Sequence, residues 1–208
     1  MKISGENVDE KQTVETKKYS KKNKRKSSKP RAIESVFDWV DSFVVSLVVV
    51  IVMFTFFLGK VEVDGGSMND TLIDRDQLII SDFNYTPKNG DIVIISRNYS
   101  NSEEAAASSD SPIVKRIIAT AGQTVEIKDD AVFVNDERLE ESYCKNKTMN
   151  KGFVGKQTVP EGCVFVLGDN RENSHDSRSS DIGFVNTKYI LGKVLLRVFP
   201  FDSFTVFN

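Results

Sequence analysis

Ser42-Phe43-Val44-Val45-Ser46-Leu47-Val48-Val49-Val50-Ile51-Val52-Met53-Phe54-Thr55-Phe56-Phe57-Leu58-Gly59 runs without a single charge. Roughly 18 residues at 1.5 Å per residue span about 27 Å, close to the thickness of a hydrocarbon core. The run is apolar on every face and is flanked by Asp41 and Lys60. That sets it apart from a core helix or buried strand, which keeps a polar face or polar ends inside a fold. No small-x-small cleavage site follows Leu58, so the run reads as a retained anchor rather than a removed secretory signal. Residues 32–40 read as the start of the same helix, with Glu34 in its first turn and Trp39 at interface level.

Working outward, the two flanks differ. Residues 1–31 hold roughly 11 Lys/Arg against about 4 Asp/Glu, and residues 61–208 are acidic by about 7 charges. The near-zero formal net charge of -2 hides this asymmetry. A basic tail beside an apolar span fixes topology rather than binding nucleic acid, and it places the tail in the cytosol and the remainder outside the membrane. Residues 1–35 are therefore expected to be a basic cytoplasmic tail without regular structure, and 36–60 the single transmembrane helix. Residues 61–208 form the extracytoplasmic domain, and the whole sits in the plasma membrane.

Beyond Lys60 the texture is β. Short apolar or alternating runs at 61–63, 77–80, 91–96, 113–118, 124–128, 131–135, 156–159, 163–167, 191–198 and 203–207 are separated by turn residues. Lys88-Asn89-Gly90-Asp91 and Asn135-Asp136 read as hairpin turns. Residues 187–191 read as a short helix, and the Ser/Asn/Glu/Ala-rich stretch 98–111 as an exposed loop. The fold class expected is mainly β, an antiparallel β domain behind one N-terminal transmembrane helix. With 1 His and 2 Cys in the chain, neither a metal site nor a disulfide framework is expected, and no cofactor is called for. Cys144 and Cys163 could pair outside the cell, but Cys163 sits in an apolar strand and reads more simply as a small core residue. Asn98-Tyr99-Ser100 and Asn146-Lys147-Thr148 match a glycosylation pattern by chance.

Three stretches carry chemistry. In Asp64-Gly65-Gly66-Ser67-Met68-Asn69-Asp70-Thr71-Leu72, two glycines let the backbone turn tightly and present Ser67. A serine hydroxyl needs a neighbouring base to act as a nucleophile. Lys115 offers one. In a strand it shares a face with Ile113 and Ile117, where burial would lower its pKa from the usual ~10.4 and free its lone pair. Arg116 points to the other face and reads as exchangeable for lysine. The third stretch, Gly168-Asp169-Asn170-Arg171-Glu172-Asn173-Ser174-His175-Asp176-Ser177-Arg178, follows a strongly apolar strand and can hold a site rigid through hydrogen bonds and an Asp176–Arg178 ion pair. A Ser67–His175–Asp176 triad is disfavoured, because adjacent side chains of an extended segment point to opposite sides.

In this order the stretches resemble the motifs of bacterial type I signal peptidases. Gly66-Ser67-Met68-x-x-Thr71-Leu72 resembles the serine motif Ser-Met-x-Pro-Thr-Leu, and Lys88-x-Gly90-Asp91-Ile92-Val93 an Arg-Gly-Asp-Ile-Val-like segment. Val114-Lys115-Arg116-Ile117-Ile118-Ala119 resembles the lysine motif, and Gly168-Asp169-Asn170-Arg171-x-x-Ser174-x-Asp176-Ser177-Arg178 matches the last motif position by position. The resemblance covers the chain from the anchor's end to Arg178, and a single anchor is more like the Gram-positive members.

What the resemblance implies is a membrane-bound serine endopeptidase that removes signal peptides from precursors delivered by the general secretion machinery. Ser67 would attack the scissile carbonyl and Lys115 would take its proton. Ser174 would orient the Lys115 amine, Asp176 and Arg178 would form a supporting ion pair, and Asp169 would brace the loop. Met68 would line the substrate- or membrane-facing surface. Asp70 stands where the family usually has Pro, and Ala121 and Gln123 stand where it has Pro and Asp. Gly65 occupies a position where some members carry a serine that helps bind the oxyanion. The rival readings are a catalytically silent homologue acting in surface-protein assembly, against which Ser67 and Lys115 are both present, and a single-pass β-domain receptor, which leaves the loop at 168–178 without a purpose.

Overall fold

The structure, a computed structural model, describes residues 31–96, 112–144 and 146–207. The expectations for the basic tail up to residue 30, for the loop at 98–111 and for Asn98-Tyr99-Ser100 lie outside the described residues. The chain divides into two compact units, Met1–Val50 and Ile51–Asn208.

One helix, α1 (Arg31–Phe57), carries the apolar run. Within it, Val36–Phe57 is long and apolar enough to cross a membrane. Every side chain from Val36 to Phe56 is exposed, Trp39, Phe43, Phe54 and Phe56 among them. In water that much bare apolar surface would be strongly unfavourable, and in lipid it is the ordinary state of a span. Two of its hydroxyls are spent inside the helix: Ser42 Oγ donates to Asp38 O at 2.9 Å and Thr55 Oγ1 to Ile51 O at 2.8 Å.

The remainder is antiparallel β, as the sequence led us to expect. The strands are β1 (Gly59–Glu62), β2 (Gln77–Ser81), β3 (Ile92–Ile95), β4 (Ile113–Thr120), β5 (Thr124–Lys128), β6 (Ala131–Val134), β7 (Glu137–Arg138), β8 (Gln157–Thr158), β9 (Cys163–Leu167), β10 (Val185–Asn186), β11 (Ile190–Phe199) and β12 (Thr205–Val206). An eight-stranded sheet runs β1-β2-β11-β3-β4-β9-β10, with β12 on β11, and a four-stranded sheet runs β7-β6-β5-β8. A single 3-10 turn at Thr187–Tyr189 replaces the short helix expected at 187–191.

Asn135-Asp136 is the two-residue hairpin loop that joins β6 to β7, both residues at positive φ as a type I′ turn requires. The segment at Lys88–Asp91 is a turn too, but not of a hairpin. β2 and β3 are not neighbours, because β11 lies between them and pairs with both. All four residues of β3 are buried, since both of its faces are covered. Ile92 and Ile94 pack with Leu78, Ile80 and Val114, and Val93 and Ile95 pack with Val164, Val166 and Ile117. Cys163 packs at the edge of a third cluster around Phe165 and Leu167, and both cysteines are free thiols. This layered packing fixes β4 rigidly between β3 and β9, the strand that leads into the loop at 168–178.

Candidate active site

Ser67 sits on an excursion between β1 and β2 that is closed at its neck by Val63 N–H to Asp76 O (2.9 Å) and Arg75 N–H to Val63 O (2.8 Å). Gly65 turns with φ 87°, and its N–H donates to Asp74 Oδ1 at 2.8 Å. After the serine the chain closes a tight turn, Leu72 N–H to Met68 O at 2.9 Å, which brings Met68 and Leu72 into the core against Leu78 and Val63. Met68 is 1% exposed. It therefore anchors the serine turn from below and does not line a surface, contrary to the expectation. Burying two large apolar side chains favours the fold by a few kcal/mol, and it is spent directly under Ser67.

Lys115 reaches this serine from the middle of β4. Its Nζ lies 2.8 Å from Ser67 Oγ and 3.1 Å from Val114 O. The side chain is buried, beside Ile113 and Ile117 in the strand. Burial pulls its pKa from 10.5 down to about 8; the Arg178 charge pulls the same way, and Asp176 and Asp169 oppose both. A charged Nζ donates to Ser67 Oγ. A neutral one accepts the serine proton along the same line, which is the geometry a general base requires.

The loop at 168–178 clamps serine and lysine together. Asn170 donates its N–H to Ser67 O and its Nδ2 to Gly66 O, both at 3.0 Å. Asp169, fully buried, takes Thr71 Oγ1 at 2.6 Å on one side and the Arg116 fork at 2.8 and 2.6 Å on the other. One carboxylate thus ties the serine turn to the lysine strand. Arg116 also donates to Gly90 O at 2.8 Å and stacks on Tyr143. That correlates poorly with the exchangeable position expected from strand alternation, because an ammonium has no fork with which to hold a carboxylate and a carbonyl at once.

Asp176 and Arg178 form a bidentate pair with both side chains fully buried (2.8 Å each). Burial pushes the Asp176 carboxyl up, but the Arg178 bonds and charge outweigh it and hold the group below the usual carboxylate range. Arg178 spends its remaining donors on Met149 O and Arg171 O, and the Gly168 N–H closes the ring on Asp176 Oδ2 at 3.1 Å.

Ser174 departs from its expected place. The Lys115 amine is oriented by Val114 O, not by a hydrogen bond from Ser174. Ser174 Oγ is buried and makes no hydrogen bond of regular geometry, although it lies close enough to Asp176 to favour its charge. Its position is set by contact: it fills the space over Gly168. His175 is exposed, its ring 2.7 Å from Asp181 and 3.2 Å from Ser179, and no contact joins it to Ser67.

The family profile described as signal peptidase, peptidase S26, matches residues 36–199. Signal peptidase I P of Bacillus subtilis subsp. natto is 36% identical over 87% of this chain and 95% of its own. Signal peptidase I of Bacillus amyloliquefaciens is 34% identical over 88% and 97%. The chain belongs to the S26 signal peptidase family. A solved signal peptidase I from Enterococcus faecalis is 31% identical and aligns with a TM-score of 0.39 over 52% of this chain and 97% of that one. Membership makes the protein a peptidase, and with α1 it makes it a membrane-anchored one.

Several residues of this signal peptidase site escaped the sequence. Arg171, fully buried, donates to Gly168 O at 3.1 Å and to Glu141 at 2.9 Å, and also bonds Thr148. Lys151 donates to Glu172 O and Ser174 O at 2.9 and 3.0 Å. Thr71 and Arg171 lie in the quoted motifs and were open to discovery there. Glu141, Thr148 and Lys151 belong to a polar segment with no period, so nothing local marks them. Of the departures from the family pattern, Gln123 is accounted for. Its Oε1 accepts Thr120 N–H at 2.8 Å and Thr120 Oγ1–H at 3.1 Å, capping the turn after β4.

Proposed function

We propose that this protein is a signal peptidase whose Ser67–Lys115 dyad cleaves signal peptides from translocated precursors at the outer face of the plasma membrane. The observation that carries the reading is the 2.8 Å contact between a buried lysine and a serine on a rigid turn, in a chain of the S26 family. Neutral Lys115 Nζ takes the Ser67 proton as Oγ bonds to the scissile carbonyl carbon, and the carbonyl π pair moves to its oxygen. Collapse of that tetrahedral species breaks the C–N bond, and the lysine proton goes to the leaving amine. Water then attacks the acyl ester by the same route in reverse order, giving the carboxylic acid and free Ser67. Val114 O orients the amine, Asp169 holds the serine turn to the lysine strand, and Asp176–Arg178 locks the loop that packs against them. The resemblance supplies the specificity, small residues at the first and third positions before the cut. The general secretion machinery would deliver the precursors.

Purified full-length protein in detergent or liposomes is expected to cut a model precursor at the end of its signal peptide, and Ser67→Ala to cut it at no measurable rate. An active Ser67→Ala enzyme refutes the mechanism. Failure of the wild-type protein on several precursors revives the silent homologue. The charge asymmetry supports a cytoplasmic tail at 1–35, a span at 36–60 and an outer catalytic domain at 61–208. Protease added to intact spheroplasts should accordingly digest the domain after Lys60 and spare the tail; a protected domain reverses the orientation.

A further inference from the structure

Acyl transfer places negative charge on the scissile oxygen, and an enzyme stabilises it with preorganised donors, one of which is worth about 100- to 1000-fold in kcat. The Ser67 N–H is one such donor, since it makes no hydrogen bond among the described residues. Gly65 has no side chain to offer, and its N–H is engaged by Asp74. Two side-chain amides occupy the gap. A Cβ on Gly66 would lie 3.1 Å from Asn69 Nδ2 and 3.6 Å from Asn173 Nδ2. Both asparagines are exposed, and neither amide nitrogen has a hydrogen-bond acceptor among the described residues.

Their approach is built into the backbone. Gly66 O accepts the Asn69 N–H at 3.3 Å and Asn170 Nδ2 at 3.0 Å. Asn173 is held in turn by Asn170, its N–H bonded to Asn170 O at 3.1 Å. Two amide nitrogens that lie 3.1 and 3.6 Å from one point on Gly66, the residue before Ser67, and that have no acceptor among the described residues, form an arrangement that an oxygen carrying negative charge completes.

We propose that Asn69 is a catalytic residue, whose side-chain NH2 joins the Ser67 N–H in binding the oxyanion, with the Asn173 amide as a weaker third donor. The assignment rests on Ser67 as nucleophile. It explains how a chain with glycine at position 65 furnishes a second donor.

The test uses the full-length enzyme in liposomes. Asn69→Ala is expected to lower kcat about 100-fold with KM changed less than about twofold, and Asn173→Ala to lower kcat about tenfold. Asn69→Asp should fall below Asn69→Ala, because a carboxylate repels the developing charge. A peptide aldehyde, which forms a tetrahedral adduct with Ser67, should bind Asn69→Ala about 100-fold more weakly. The same peptide ending in a carboxamide should bind both enzymes alike. A kcat for Asn69→Ala within threefold of wild type, a loss confined to KM, or equal weakening of both peptides overturns the assignment. Ser67→Ala separates the two levels: if it is dead while Asn69→Ala is fully active, only the oxyanion assignment fails, and if it is active, the nucleophile itself is wrong.

Discussion

Lys115→Ala is expected to lose at least about 10,000-fold in kcat/KM, on the scale of removing the base from a nucleophile–base pair. Lys115→Arg should do no better, because a guanidinium stays protonated at every working pH. The wild-type profile identifies the reason. With a pKa near 8, the lysine is neutral in about one molecule in ten at pH 7, against about one in 2,500 at its ordinary value. kcat/KM should rise about tenfold per pH unit below pH 8 and level off above it. Stability should follow the same titration with a definite sign. Between the folded pKa near 8 and the unfolded value near 10.5 the unfolded chain binds the extra proton, so stability contributed by the neutral, buried lysine rises with pH across that window and is constant above it. An acid limb near 10.4, or a Lys115→Ala enzyme retaining more than a hundredth of its activity, would sink the dyad.

The parts of the molecule legible in the sequence are those where one local pattern decides. The span is legible because 18 uncharged residues have few other ways to be buried. Thr124–Lys128 and Cys163–Leu167 stand where the sequence placed them, each a short apolar or alternating run between turn residues. Glu137–Arg138 and Val185–Asn186 went unseen, since a two-residue strand has no period. The insertion of β11 between β2 and β3 went unseen for a different reason. Turn chemistry reports on neighbours in sequence, and that pairing is decided by packing of Val194 against Leu78, Ile80 and Ile92.

The site divides in the same way. Glycines before a serine and isoleucines beside a lysine drew attention to Ser67 and Lys115, but both patterns are common, and it is the resemblance that singles the two out as a pair. Met68 was misplaced because a serine motif does not say which way the next residue turns; the turn closed by Leu72 N–H on Met68 O sends it inward. Arg116 was misjudged because its partner, Asp169, lies 53 residues away. Ion pairs at that distance leave no trace in periodicity, and they are what hold the serine turn, the lysine strand and the loop in one geometry.

Gly168→Ala is the change that should damage this geometry most at the cost of a single methyl group. A Cβ at Gly168 would lie 2.3 Å from Ser174 Oγ, 2.6 Å from Ser174 Cβ and 2.5 Å from Ser67 O. None of these distances is tolerable, and the last involves backbone, which cannot rotate away. Ser67 O is held by the Asn170 N–H, so relieving the clash means moving the Ser67 turn and the loop apart. A shift of about 1 Å in a reacting group costs on the order of 100-fold, and the overpacking itself about 1–3 kcal/mol of stability. We expect Gly168→Ala to lower kcat/KM by at least about 100-fold and to lower the melting temperature. The double variant Gly168→Ala/Ser174→Gly removes the two serine side-chain contacts and leaves the one with Ser67 O. It should recover much of the melting temperature and little of the activity. Recovery of both together would mean that Ser174 alone crowds Gly168 and that the nucleophile's carbonyl is free to yield; wild-type activity in Gly168→Ala would mean that the loop does not press on Ser67 at all.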